Sequence, residues 1–225
     1  MTDYGHELLF GLFVTPSAAG ARRALDLAGT ADRTGLDLVT FQDHPYQPAF
    51  HDTWTLLSYA AARTERGRLS GNVLSLPLRP PAVLARAAAS LDILSGGRFE
   101  LGIGAGAFWD GIAAMGGRRL TPGQGVVALR EAIAIIRDLW DTDASGVVRH
   151  DGRFYRAVGA KRGPRPAHGI EIWVGSYKPK MLALTGELGD GWLPTLEYLP
   201  RGVDSLPEFN ARIDEAAVAA GRPPA

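Results

Sequence analysis

The chain has 225 residues, 46% of them hydrophobic and 21% charged, with 24 basic and 24 acidic side chains, 28 Gly, 15 Pro and no Cys. These figures exclude a disordered chain, a module held to nucleic acid by a broad basic field, a disulfide scaffold, a thiolate metal site and a thiol nucleophile. No apolar run approaches the roughly 20 residues that cross a bilayer, and no basic segment precedes the apolar stretch 8–14. A soluble, cytoplasmic, single-domain protein with no membrane or nucleic-acid partner is therefore expected.

The continuous apolar run Leu8–Thr15 reads as a strand buried on both faces. Ser17 can cap a helix to about Thr34, with Ala21, Ala24, Leu25 and Ala28 on one face. Leu36–Phe41 is a second strand, and Asp52 can cap a helix through Trp54, Leu57, Ala60 and Ala61. Arg68–Leu76 reads as a third strand. Pro80 and Pro81 open a helix carrying Val83, Leu84, Ala87, Leu91 and Leu94, and Gly96–Gly97 stops it. Phe99–Ile103 is a fourth strand that runs into the glycine-rich Gly102–Gly106. Thr121-Pro122-Gly123-Gln124 is a capping box, and Val126, Leu129, Ile133, Ile136 and Trp140 form the apolar stripe of the helix behind it. Across the insertion 141–169, Val147–His150 and Arg153–Arg156 flank Asp151-Gly152, a two-residue hairpin signal. That hairpin reads as a surface decoration or a lid. Ile170–Val174 is a fifth strand, Pro179–Leu188 a helix, and Gly191–Thr195 a short sixth strand. Ser205-Leu206-Pro207-Glu208 is a further capping box whose helix ends at Gly221.

Strand and helix thus alternate six times with no linker composition between them, which means a parallel sheet with helical crossovers. An open doubly wound sheet and a closed barrel both fit. Each collects its site at the carboxyl ends of the strands.

Asp43-His44-Pro45 follows the second strand. A His there can act as acid or base, and a capping Asp beside a loop His is the alternative. His51 and Asp52 bring the potential ligands to four, but adjacent side chains on an extended segment diverge, so no metal site is expected. Gly71-Asn72-Val73-Leu74-Ser75-Leu76-Pro77 ends the third strand, with the glycine marking a bulge or an ordinary exit. Gly102-Ile103-Gly104-Ala105-Gly106-Ala107 imitates a dinucleotide fingerprint. It lacks an immediately following helix and an acidic residue about 20 positions on, so it reads as a glycine-rich turn that a flat ring or a phosphate can approach. Gly175-Ser176-Tyr177-Lys178-Pro179 enters a helix and suits an anion, or is a plain helix cap. Trp109, behind the glycine loop, is a candidate pocket wall.

These residues resemble a known family. Gln42-Asp43-His44, the run from Asp52 to Leu57, the run from Arg79 to Ala85, the run from Leu91 to Gly106, and Gly189-Asp190-Gly191-Trp192 together look like the bacterial-luciferase-like monooxygenase superfamily. The likeness extends over about residues 8–195, and it points to the branch that uses coenzyme F420, a 5-deazaflavin.

The resemblance implies a TIM-like (β/α)8 barrel, with this chain apparently lacking the last two βα units. It also implies one domain over 1–225 with the hairpin inserted around 141–169. It implies F420 as cofactor, with FMN as the alternative, and His44 with Asp43 as catalytic residues in hydride transfer to or from a small organic substrate. Asn72 and Val73 correspond to the family's cis-peptide bulge behind the ring, with Ser75 close by. Gly104, Ala105 and Gly106 correspond to ring contacts, and Gly175, Ser176 and Lys178 to the loop at the cofactor's phosphate tail. Ala107 stands where the sugar-phosphate branch carries a Glu, which speaks against sugar-phosphate oxidation by that route. The resemblance also admits a homodimer. An FMN-dependent monooxygenase and an incomplete, non-catalytic flavin-binding protein are the competing expectations. The second follows from a length of 225 against the ~250 residues of a typical eight-unit barrel.

Overall fold

The structure is a computed structural model that describes residues 7–20 and 22–224. Its main sheet has seven strands in the order β1 (Gly11–Val14), β2 (Leu38–Phe41), β3 (Arg68–Gly71), β5 (Phe99–Gly104), β8 (Ile172–Val174) and β9 (Gly191–Trp192). The short β4 (Leu74–Ser75) pairs with β5 beyond the end of β3. Every pairing in this sheet is parallel. Crossovers are supplied by α1 (Arg23–Thr34), α2 (Thr53–Ala61), α3 (Pro81–Ser95), α5 (Pro122–Trp140) and α6 (Pro179–Leu188). Among the described residues β1 and β9 remain the edges, and no seventh or eighth unit joins them. The order is that of a TIM-like barrel as far as its sixth βα unit.

β5 lies at the centre and all six of its residues are buried, as a strand covered on both faces must be. Phe99, Leu101 and Ile103 pack with Phe41, Leu69, and with Leu129, Ile133 and Ile136 of α5. The capping box at Thr121 forms as read: the Thr121 side chain accepts from Gln124 N, and Gln124 Oε1 accepts from Thr121 N. Asp52 caps α2 by accepting from Thr55 N at 2.8 Å. Gly96 ends α3 in the left-handed region at φ 73.

Other expectations are corrected. Leu8–Phe10 lie outside β1, and Leu8 is 77% exposed, because an edge strand has a neighbour on one side only. Ser17 does not cap α1. Its backbone bridges antiparallel to Phe50, with Ala18 N donating to Ala49 O, and the helix starts later, at Arg23. Ala21 lies outside the described residues. The third strand is broken in two between Gly71 and Leu74, then turns into a 3-10 segment at Leu76–Leu78. In the hairpin the strands are β6 (Val147–Asp151) and β7 (Arg156–Lys161), so the turn is longer than Asp151-Gly152. The reason is Glu131, whose carboxylate accepts from the backbone N–H groups of Arg153, Phe154 and Tyr155 and holds them out of the ladder. Ser205 makes no capping bond to α7 (Leu206–Ala219); its hydroxyl accepts from Arg201 N instead.

Buried charges pin the amino ends of the strands. Glu100, at the start of β5, accepts from Arg68, from Glu171 N and from His168, which also contacts Asp92 at 2.8 Å. Asp32 of α1 accepts from Glu65 N, Arg66 N and Gly67 N at 2.7–2.9 Å and so fixes the turn into β3. Burial raises its carboxyl pKa, but the three N–H donors and the Arg98 charge outweigh that and leave it below the ordinary Asp value.

Asp32→Ala leaves three buried or half-buried donors without their acceptor and should lower unfolding free energy by about 2–4 kcal/mol, read by urea denaturation. The wild-type contribution is full above the carboxylate pKa of the unfolded chain and should fade as pH falls through the lower folded value.

Candidate active site

The carboxyl ends of β2, β4, β5 and β8 surround a cavity of about 460 Å³. Asp43 and His44 reach it from β2; Asn72, Val73 and Ser75 from the broken third strand; Gly104, Ala105 and Gly106 from β5; Gly175, Ser176 and Lys178 from β8. The pair Asp43 and His44 and every residue the resemblance assigned to the cofactor are therefore in its wall.

The two neighbours after β2 do different work. The Asp43 side chain is 1% exposed, accepts from Ser75 N at 2.8 Å and pairs with Arg79 Nη2 at 3.0 Å. Arg79 also reaches Asp52 at 3.4 Å. Asp43 thus spends its carboxylate on the frame, tying β2 to β4 and to the start of α3. The Thr53 hydroxyl donates to Gln42 O at 2.6 Å and secures the same corner.

His44 stands in an aromatic surround. Its ring meets Phe108 edge-on at 5.1 Å, Tyr46 at 5.4 Å and Phe50 at 6.4 Å between centroids. Nδ1 lies 2.5 Å from the Tyr46 hydroxyl, and Nε2 has no partner among the described residues. Burial pulls the His44 pKa below the ordinary histidine value, with Asp43 opposing it. Burial and the Asp43 charge push the Tyr46 phenol up to about 12.

The Asn72–Val73 peptide is cis. The Val73 side chain lies between two glycines: a Cβ on Gly104 would come within 2.7 Å of its Cγ2, and one on Gly175 within 2.9 Å. The glycines at these strand ends are there so that Val73 can form the floor. Beside it, the Ser75 hydroxyl is buried with no hydrogen-bond partner among the described residues. A buried orphan hydroxyl next to an apolar floor fits a flat heterocycle that carries acceptors.

Three sequence expectations change. The Ser176 hydroxyl is 3.0 Å from Thr185 Oγ1, and Thr185 donates to Met181 O, so Ser176 is engaged with α6 instead of standing free for an anion. Lys178 is the exposed polar group of that loop. Trp109 does not line the cavity; it packs against the turn at Gly106 while Phe108 takes the wall position. A short helix, α4 (Trp109–Ala114), does follow the glycine loop, although position 124 remains a capping Gln. The sequence reading missed Tyr46, Phe13, Tyr177, Leu193, Glu197 and Tyr198, all of them in the cavity wall. Tyr46 had a signal, two residues beyond His44. The rim residues after β9 had none.

The sequence model of the luciferase-like monooxygenases matches residues 2–225. The chain belongs to the luciferase-like monooxygenase family. It is 34% identical over 197 residues to an F420-dependent glucose-6-phosphate dehydrogenase of Nocardia farcinica, covering 84% of this chain and 57% of that one. To a phthiodiolone/phenolphthiodiolone dimycocerosates ketoreductase of a Mycobacterium sp. it is 35% identical over 187 residues, or 80% and 46% of the two chains. Among solved structures, monooxygenase RslO1 from Streptomyces bottropensis superposes with a TM-score of 0.80 at 26% identity, over 97% of this chain and 68% of that one. The chain spans little more than half the length of the dehydrogenase. Ala107, which has no acidic group, lines the cavity.

Asp43→Ala should break the buried pair with Arg79, free Ser75 N and cost about 3–5 kcal/mol in thermal or urea unfolding. Asp43→Asn keeps an acceptor for Ser75 N and should cost less.

Proposed function

We propose that this chain is an F420-dependent oxidoreductase which moves a hydride between the deazaflavin and a small organic substrate, with His44 as acid/base. One observation carries the reading: four strand ends converge on a single cavity that presents an apolar floor at Val73, an orphan hydroxyl at Ser75 and an imidazole with Nε2 unpartnered. The dehydrogenase relative supports F420 as the cofactor, and the ketoreductase relative supports a carbonyl or alcohol as the substrate.

In this reading Val73, between the strand ends that carry Gly104 and Gly175, would hold the deazaflavin ring, which would supply or accept the hydride. Ser75 and the backbone of Ala105 and Gly106 would hold its polar edge, and Lys178 would hold its anionic tail. Phe108 and Phe13 give the cavity apolar walls. His44 holds or takes up the proton of the substrate oxygen at Nε2, and its lowered pKa keeps it neutral near pH 7. Ala107 offers no carboxylate, which speaks against sugar-phosphate oxidation by a route that needs a Glu there. The reading carries with it a cytoplasmic location and a homodimer. An FMN-dependent monooxygenase is the second reading; the likeness to monooxygenase RslO1 supports its reaction class.

Titration of the protein with F420 and with FMN, followed by fluorescence, should give a micromolar Kd for F420 and weaker binding of FMN. Binding of neither rules out both readings, and preference for FMN favours the second. His44→Ala should lower turnover by about 10²–10⁴-fold while F420 affinity stays within a few-fold. A variant that turns over like wild type removes His44 from the chemistry.

A further inference from the structure

Tyr46 belongs to no motif in the sequence, yet it is the one polar group that His44 touches through Nδ1. Its ring is held on two sides. The Phe108 ring lies 5.9 Å away, and Gly111 of α4 approaches so closely that a Cβ there would come within 2.7 Å of the Tyr46 ring carbon Cγ. The glycine lets α4 press on the phenol, so the hydroxyl has little freedom to leave Nδ1.

A neutral imidazole has one N–H and one lone pair, and its neighbour decides which nitrogen carries which. If Nδ1 donated to the phenol oxygen, the Tyr46 proton would have to go to cavity water, since no protein acceptor for it occurs among the described residues. If the phenol donates to Nδ1, both groups are satisfied and the proton of His44 sits on Nε2. The raised phenol pKa and lowered imidazole pKa agree, since both groups are then uncharged near neutral pH.

We propose that Tyr46 is the positioning residue of this site: its hydroxyl donates to Nδ1, holds His44 as the Nε2–H tautomer and makes the free nitrogen a hydrogen-bond donor to the oxygen of a bound carbonyl compound. The inference rests on the oxidoreductase reading for its substrate and on the 2.5 Å contact for its chemistry. The resting site is then built to receive a ketone or aldehyde oxygen. An alcohol requires the tautomer to reverse, with the phenol turning to accept from Nδ1.

The test uses the protein alone, labelled with ¹⁵N-histidine, with the His44 signals identified by their loss in His44→Gln. Wild type near pH 7 should show Nε2 protonated and Nδ1 bare. Tyr46→Phe keeps the ring and should shift the tautomer ratio about tenfold towards Nδ1–H, the equivalent of one hydrogen bond. Gly111→Ala, which displaces the phenol and spares its hydroxyl, should shift the ratio in the same direction. Nδ1–H in wild type overturns the proposal, as does a ratio unchanged in Tyr46→Phe. F420 titration of the same samples separates the two levels. A protein that binds F420 but carries Nδ1–H loses only the Tyr46 assignment. One that carries Nε2–H but binds neither F420 nor FMN loses only the oxidoreductase reading.

Discussion

The Asp43 carboxylate is the joint on which the site depends. It takes a hydrogen bond from Ser75 N and an ion pair from Arg79, so it binds the end of β2 to the far half of the broken third strand and to the start of α3. Removal of a buried carboxylate with two such partners costs more than the loss of one hydrogen bond, because both partners stay behind in a poorly solvated corner. With that corner fixed, the backbone leaves β2 in a direction that puts His44 among aromatic rings instead of in solvent.

The other walls follow from the same break. The third strand ends at Gly71 and resumes at Leu74, and Val73 between them is accepted by Gly104 at the end of β5 and Gly175 just past β8. The strand ends therefore meet around a side chain, not around open backbone. This explains why glycines cluster there without a nucleotide-binding fingerprint. The hydride reading uses the cavity as it stands: apolar floor, orphan hydroxyl, neutral imidazole, exposed lysine at one end.

Much of this was legible in the residues. Parallel βα order shows in apolar runs alternating with helical stripes, and the caps at Asp52 and Thr121 show in short polar signals whose partners are three residues away. The pair Asp43 and His44 and the residues assigned to the cofactor lie in the cavity wall, because a curled parallel sheet brings its strand ends together. What escaped depends on contacts distant in sequence. Ser17 reads as a cap, but the chain at 49–51 pairs with its backbone. The hairpin reads as a two-residue turn, but Glu131 takes three of its N–H groups. Ser176 reads as an anion ligand, but Thr185 lies 3.0 Å from its hydroxyl. The Asp43 pairing falls in the same class, since Arg79 lies 36 residues away.

The central claim is that one cavity at the strand ends is built for a flat deazaflavin. Chemical-shift mapping of the ¹⁵N-labelled protein on addition of F420 tests it most directly. The amides of 43, 44, 46, 72–75, 104–108 and 175–178 should move together and saturate at one affinity. Shifts that gather instead at the opposite strand ends, around Glu100 and His168, or no shifts at saturating F420, would contradict the account.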